Sequence, residues 1–458
     1  MICSAVALGT LVGLDERIAV GALGAVALAA CCFLNPTVGL LCWIPAVFVS
    51  ASAAGGALLR AGFVLSVAAW VLDAIRRRSI MDGRIREFRR LVALVLAMYL
   101  WFGATMLWAA DPAAVLREYR WWPIPLAVFG LALTLITSTR RLLLLATTFV
   151  ASATLAAVIG MIALRSTASA SADPLTSMDN RVTGAAGDPN GLGAGLVAAA
   201  ILAFGLACVA RRAWVRSTVA AAILVLATAA AGTASRMVVI SAGIAFIAAL
   251  VIFRQVIGRV LAASACVAAP AALWFYSFPP AWQRMVASGD GGSGREDLWR
   301  AAVQLTLENP IVGLGLDNFQ VHKASVALKI GEVQSASAVA ERPYVAHNTY
   351  LQLWVDSGVI GLGLFLAIIV SCIWCSLRAA RLFATVGRRD LAALSRSVAV
   401  AVVSMLGSAA FLNLGRDFRL WILLAIGPIL LSLARLETPR QSGEQAEMAP
   451  VTGSCAAS

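Results

Sequence analysis

Runs of apolar residues long enough to cross a bilayer recur from one end of this chain to the other. A spanning helix needs about 20 such residues, with a usual range of about 17–25. Twelve runs read as spans, the first at Ala19–Leu34 and the last at Leu420–Leu433; Ile2–Leu14 and Pro36–Val49 are weaker. Ile2–Leu14 has no positive residues before it, so it reads as a short span or interfacial segment rather than a signal peptide. The expected fold is an all-α polytopic membrane protein with 12–14 transmembrane helices. Composition agrees: the chain is 61% hydrophobic and 13% charged, against about a quarter charged in soluble domains. A soluble enzyme, a nucleic-acid-binding protein and a disordered chain are thereby excluded as classes.

The basic residues set the orientation. Of 36 basic residues, 21 fall on one set of loops with seven of the 23 acidic ones, which leaves 15 basic against 16 acidic on the other side. The first set includes Arg76–Arg78, Arg140, Arg141, Arg211, Arg212, Arg254, Arg259, Arg388 and Arg389. The positive-inside rule makes that side cytoplasmic, with both termini inside for an even number of spans. The net charge of +13 is therefore a topology signal and not a nucleic-acid footprint. The chain divides into N-terminal spans over 1–180, a core over 181–376, C-terminal spans over 377–436 and a polar, disordered cytoplasmic tail over 437–458. The core includes an outside loop over 277–346, long enough for folded structure.

No nucleotide cradle appears, and Gly313 and Gly315 read as turn residues. No metal constellation appears either: the two histidines, His322 and His347, have no cysteine near them. The nine cysteines avoid the large outside loop, and Cys372 and Cys375 lie inside an apolar helix as small hydrophobes. No cofactor is expected.

Four charged or titratable groups from separate stretches share the outside face. Arg236 sits in a turn between two apolar runs, too short to be a solvated loop, and an arginine at membrane depth is costly enough to imply a function; snorkelling to headgroups is the plainer alternative. Arg295 falls in the first turn of a helix that Ser293-Gly-Arg-Glu296 caps and Asn309-Pro310 ends, with Trp299 one turn on. First-turn amides favour an anion and an adjacent guanidinium strengthens the site, although Arg and Trp also suit a helix lying at the lipid interface. His347 precedes a second helix, for which Thr349-x-x-Gln352 reads as a capping box and Asp356-Ser-Gly358 as a break. A neutral imidazole there can take a proton from a sugar hydroxyl; an interfacial capping histidine is the alternative. Arg181 opens a turn-rich approach containing Asp188 and Asn190, where a headgroup contact would also fit.

The order of these segments resembles the O-antigen ligase / Wzy-type polymerase superfamily of polytopic membrane glycosyltransferases. The resemblance rests on Arg181-Val-Thr-Gly-Ala-Ala-Gly-Asp-Pro-Asn190, on Ser235-Arg236, on Gly294-Arg-Glu-Asp-Leu-Trp-Arg running into Asn309-Pro-Ile-Val-Gly-Leu-Gly-Leu-Asp-Asn-Phe319, and on His347-Asn-Thr-Tyr-Leu-Gln-Leu-Trp-Val-Asp-Ser-Gly358. It covers about Arg181 to Ile373. It implies a GT-C type helical fold with a large periplasmic loop, and transfer of a glycan from undecaprenyl diphosphate to an acceptor hydroxyl at the outer face of the inner membrane, without nucleotide sugar or metal. The acceptor would be lipid A–core or another lipid-linked repeat. His347, Arg295 and Arg236 would be catalytic; Arg181, Arg236 and Arg295 would bind the donor diphosphate; Asn348, Asp188, Asn190 and Trp299 would support them. Asp188 and Asp356 stand where the family often has Asn and Glu. A ligase is favoured over a repeat-unit polymerase. A flippase expects repeated halves and mid-span charges, and neither is seen.

Overall fold

The computed structural model describes residues 29–49, 53–76, 83, 86–167, 180–184, 187–286, 295–322 and 346–438. The expected run Ile2–Leu14, most of Ala19–Leu34, the Ser293 cap and the tail beyond Thr438 lie outside them. Every described element is helical, as expected of an all-α membrane protein. In chain order the helices are α1 (Pro36–Phe48), α2 (Ala53–Arg76), α3 (Arg89–Ala104), α4 (Pro112–Tyr119), α5 (Pro123–Leu135), α6 (Thr139–Thr167), α7 (Pro189–Val209) and α8 (Ala213–Gly232). They continue with α9 (Arg236–Ile252), α10 (Ile257–Ser277), α11 (Pro279–Val286), α12 (Arg295–Glu308), α13 (Thr349–Thr385), α14 (Arg389–Ala409) and α15 (Phe418–Glu437). Eight described helices are long and apolar enough to cross a membrane, and α1 and α9 are apolar but shorter. The protein is a multi-pass membrane protein.

The centre of the bundle is α7, α13, α14 and α15. Helices α14 and α15 are buried over most of their length, which is why they carry small or apolar residues on all sides rather than on one stripe. Aromatic packing ties them to the N-terminal helices: Trp421 meets Phe129 edge-on at 5.6 Å, and Trp43 meets Phe418 at 5.5 Å. Two helices near the rim behave differently. Helix α10 buries only Val260; it packs on α8 and scarcely touches α9.

The connecting segments sort to two ends. At one end Arg388 bridges Glu437 at 2.9 Å. At the other, hydrogen bonds join segments far apart in sequence: Trp108 to Gly313, Arg181 to Thr233, Arg236 to Arg284, Trp299 to Ala346 and Thr349 to Leu412. The four residues singled out in the sequence all belong to segments of this second end.

Candidate functional site

The site is built from two groups of segments that meet on α14. The first forms around the turn between α8 and α9. Asp188 caps α7, its carboxylate accepting from the amides of Asn190 (3.0 Å) and Gly191 (2.9 Å). Arg181 is buried, 5% exposed. Its Nε donates to the Thr233 carbonyl at 2.8 Å and its Nη2 to Asn190 Oδ1 at 3.0 Å, while Val182 N donates to the Gly232 carbonyl at 2.8 Å. Arg181 therefore clamps the turn that presents Arg236. That turn holds Ala234 at φ 46°, a left-handed conformation that costs a non-glycine residue roughly 1–2 kcal/mol. Arg236 is the first residue of α9, exposed, with Nη2 donating to the Arg284 carbonyl at 3.2 Å. The first turn of α9 has no side-chain cap, and a helix N-terminus that carries a guanidinium on its first residue suits an anion.

The second group is centred on His347, which stands in a bend at φ 47° and is half-buried. Helix α13 starts behind it. The expected Thr349–Gln352 capping box is corrected: Asn348 caps, its Oδ1 accepting from Tyr350 N (3.0 Å) and Leu351 N (3.1 Å). Thr349 is diverted because its hydroxyl is buried against the α14–α15 turn, donating to the Leu412 carbonyl at 2.7 Å and accepting from Leu414 N at 2.8 Å. Gln352 instead reaches back to Ala346 N with its Oε1, at 2.9 Å.

The expected break at Asp356-Ser-Gly358 is a kink inside α13, with Gly358 at φ 67° and ψ −176°. A kink orphans backbone groups that must find partners elsewhere. The carbonyls of Val355, Asp356 and Ser357 accept from Leu314 N (2.8 Å), Gly315 N (2.8 Å) and Trp101 Nε1 (2.8 Å), and Val359 N donates to the Pro310 carbonyl at 2.9 Å. The segment Asn309–Phe319 thus lies against the kink, so this segment and the start of α13 are one folded unit. Gly313 and Gly315, at φ 72° and 104°, are turn residues as read from the sequence. A Cβ on Gly358 would lie 2.0 Å from the Ile311 carbonyl oxygen. Gly358→Ala is accordingly expected to lose this pairing and fail to accumulate as folded protein, measured as a monodisperse peak after detergent extraction; a normal yield would mean the kink is dispensable.

Helix α12 completes the unit. It ends at Glu308, before Asn309-Pro310 as expected. Leu298, Ala301, Ala302 and Leu305 pack with Leu314, Phe319, Ala346 and Val355. Trp299 Nε1 donates to the Ala346 carbonyl at 2.8 Å, and its ring lies 6.1 Å from Phe411. The backbone of Arg295 opens α12; its side chain lies outside the described residues. The two groups connect through α14: Ser408 Oγ donates to Ser241 Oγ of α9 at 3.0 Å, a turn from Phe411 and Leu412.

Several polar residues here were not singled out from the sequence as site residues. Asp356 is buried, 4% exposed, between Gln352 Nε2 at 2.6 Å and Phe319 N at 3.4 Å. Arg419 is buried against Asp417, with Nε 2.9 Å from Oδ1 and Nη2 in close contact with Oδ2. Asp317 and Glu118, at the same end, have carboxyls held above their ordinary range, chiefly by burial; Arg416, 2.8 Å from Glu118, opposes the shift. The available sequence signal was a charge set against an apolar run.

A cavity of about 1610 Å³ lies where α9 and α10 stand apart. Its lining runs from Ser235 and Trp282 to Phe253 and Val260, with Gly243 and Phe246 between them. Ser235 and Phe253 are 18 residues apart, about 27 Å at the helical rise, close to the ~30 Å hydrocarbon thickness of a bilayer. One end of the cavity is therefore beside Arg236.

Among the described residues no three His, Cys, Asp or Glu side chains gather in a way that could hold a metal ion. Compared with known families, residues 220–366 match a model described as O-antigen ligase. The match includes Arg236, Arg295, Trp299, His347 and Asn348 and leaves Arg181, Asp188 and Asn190 outside it. No curated protein matches the chain at a significant level.

Proposed function

We propose that this chain, whose residues 220–366 match the O-antigen ligase family, is a ligase-type glycosyltransferase. It moves a glycan from a polyprenyl diphosphate, of the undecaprenyl class, to a sugar hydroxyl of an acceptor such as lipid A–core. The arginine-rich end faces the cytoplasm of a bacterial inner membrane, and the site faces out. The observation that carries the reading is the membrane-deep apolar cavity with Arg236 at its outer end. A diphosphate with a long apolar tail matches both halves, since each buried CH₂ contributes about 0.8 kcal/mol and the charged head meets a guanidinium and a helix N-terminus.

The acceptor oxygen attacks the anomeric carbon as the bond from that carbon to the diphosphate oxygen breaks. The electron pair leaves with the diphosphate, whose growing charge Arg236 and Arg295 offset electrostatically. Arg181 supports the donor site from behind by holding the α8–α9 turn. His347 takes the acceptor proton. Residues 181–376 form the catalytic core on this reading.

Transfer by purified protein in detergent, with a lipid-linked glycan and a core acceptor, tests the assignment, and it should survive chelation. Chain extension of a second lipid-linked unit instead would make the protein a polymerase; movement across a vesicle wall without transfer would make it a flippase. The cavity has its own test. A Cβ on Gly243 meets nothing within 4 Å, so Gly243→Phe can occupy the cavity without a backbone clash. Its KM for the long-chain donor should rise about tenfold, a loss of about 1.4 kcal/mol in binding, with a short-chain donor unaffected; equal KM for both would remove the cavity from the donor site.

A further inference from the structure

We propose that Asp356 is a positioning residue for His347, acting through Gln352 on the backbone of Ala346. The proposal rests on the reading of His347 as the general base. The relay is a continuous line of hydrogen bonds among groups shut away from solvent. Ala346 N donates to Gln352 Oε1 at 2.9 Å, and Gln352 Nε2 donates to Asp356 Oδ2 at 2.6 Å. Asp356 Oδ1 accepts from Phe319 N at 3.4 Å, and the Asp317 backbone also donates to this carboxylate. Trp299 holds Ala346 from its other side, through the carbonyl. Ala346 is 0% exposed, Gln352 and Asp356 4%.

His347 needs such a support. Its φ of 47° is a conformation that persists in a non-glycine residue only where the surroundings over-determine it. The residue before it is gripped at both its amide and its carbonyl, and the residue after it caps α13. The grip depends on the polarity of the relay. Gln352 must offer oxygen to Ala346 and nitrogen to residue 356, so residue 356 must accept there while also accepting from Phe319. A carboxylate accepts on both oxygens and meets both demands. An asparagine presents an NH₂ group to one of two donors and leaves one bond unmade.

Reversing the polarity of the relay tests it. When Asp356→Asn is combined with Gln352→Glu, the new amide nitrogen at position 356 donates to the new carboxylate at position 352. That carboxylate also accepts from Ala346 N, and the amide oxygen at position 356 keeps Phe319 N. The bonds from Ala346 N and Phe319 N and the bond between positions 352 and 356 all return, with the same number of heavy atoms and the same net charge. Asp356→Asn alone should lower kcat about 10²-fold, the scale of a displacement of about 1 Å in a reacting group, with little change in KM for the lipid-linked donor. The double variant should recover most of that loss. Trp299→Phe, which removes only the bond to the Ala346 carbonyl, should lower kcat in the same direction and keeps the proposal testable where Asp356→Asn alone does not fold.

The outcomes separate. Wild-type kcat in Asp356→Asn and Trp299→Phe overturns the relay. So does a folded double variant that stays as slow as the single one, because the carboxylate at 356 then matters in its own right. His347→Ala run beside them distinguishes the two levels: full activity there removes the general-base reading, whereas an inactive His347→Ala with fully active relay variants removes only the relay.

Discussion

His347→Ala is expected to lower transfer by about 10²–10⁴-fold, the usual contribution of a general base, with insertion and detergent stability preserved. The physical ground is the cost of the geometry around this residue. The chain holds it left-handed, at φ 47°, between a residue clamped at both backbone groups and the cap of a 37-residue helix. None of that is required to end a helix, since Asn348 caps α13 with its own side chain. The loss should fall on kcat, because an imidazole that accepts a proton in the transition state contributes little to ground-state binding of donor or acceptor. His347→Gln keeps a hydrogen-bonding side chain without the titration; it should retain folding and stay slow. The readout is initial rate against both substrates in purified protein. Wild-type rates in His347→Ala would reduce the residue to a structural bend.

Arg236→Ala is expected to reduce transfer by about 10²–10³-fold, comparable to removing one fixed donor from a site of developing negative charge. Position is the ground for this expectation. Arg236 starts α9, beside the end of the cavity marked by Ser235 and Trp282; Arg181 and Val182 hold Thr233 and Gly232 on the α8 side of its turn, and Arg181 also bonds Asn190 of α7. Arg236→Lys should remain well below wild type, because lysine keeps the charge and loses the bidentate fork. A lysine variant as fast as wild type would mean that Arg236 only anchors in headgroups. Arg181→Lys should be slow for a different reason: it removes the Nε and Nη2 pair that bonds Thr233 and Asn190, so the α8–α9 turn shifts and KM for the donor rises.

The helices and their ends are legible in the sequence where local physics decides them. Asn309-Pro310 ends α12 and Asp188-Pro189 starts α7, because proline and short polar side chains act on their own neighbours. The local pattern misleads at Thr349, where it offers a capping box and a distant turn takes the hydroxyl. Asp356 stands out in the sequence only as part of a helix break and as a departure from the family's Glu. Its neighbours in sequence give no hint that its partners are Phe319, 37 residues earlier, and a glutamine that faces Ala346.

By itself, the sequence determined that this chain is a bundle of membrane helices, and it offered four stretches as candidates for chemistry. Hydrophobic length and charge asymmetry are one-dimensional quantities, and a bilayer reads them in that form. The tertiary structure decided what those stretches do to one another. The kink at Gly358 frees backbone carbonyls that the Asn309–Phe319 segment satisfies, Arg181 supports the turn of Arg236 from 55 positions away in sequence, and α10 stands off α9 to leave a cavity that runs along α9 from Ser235 to Phe253. These are consequences of packing, where a group's partner is set by which backbone or side chain lies nearest in space and needs a bond.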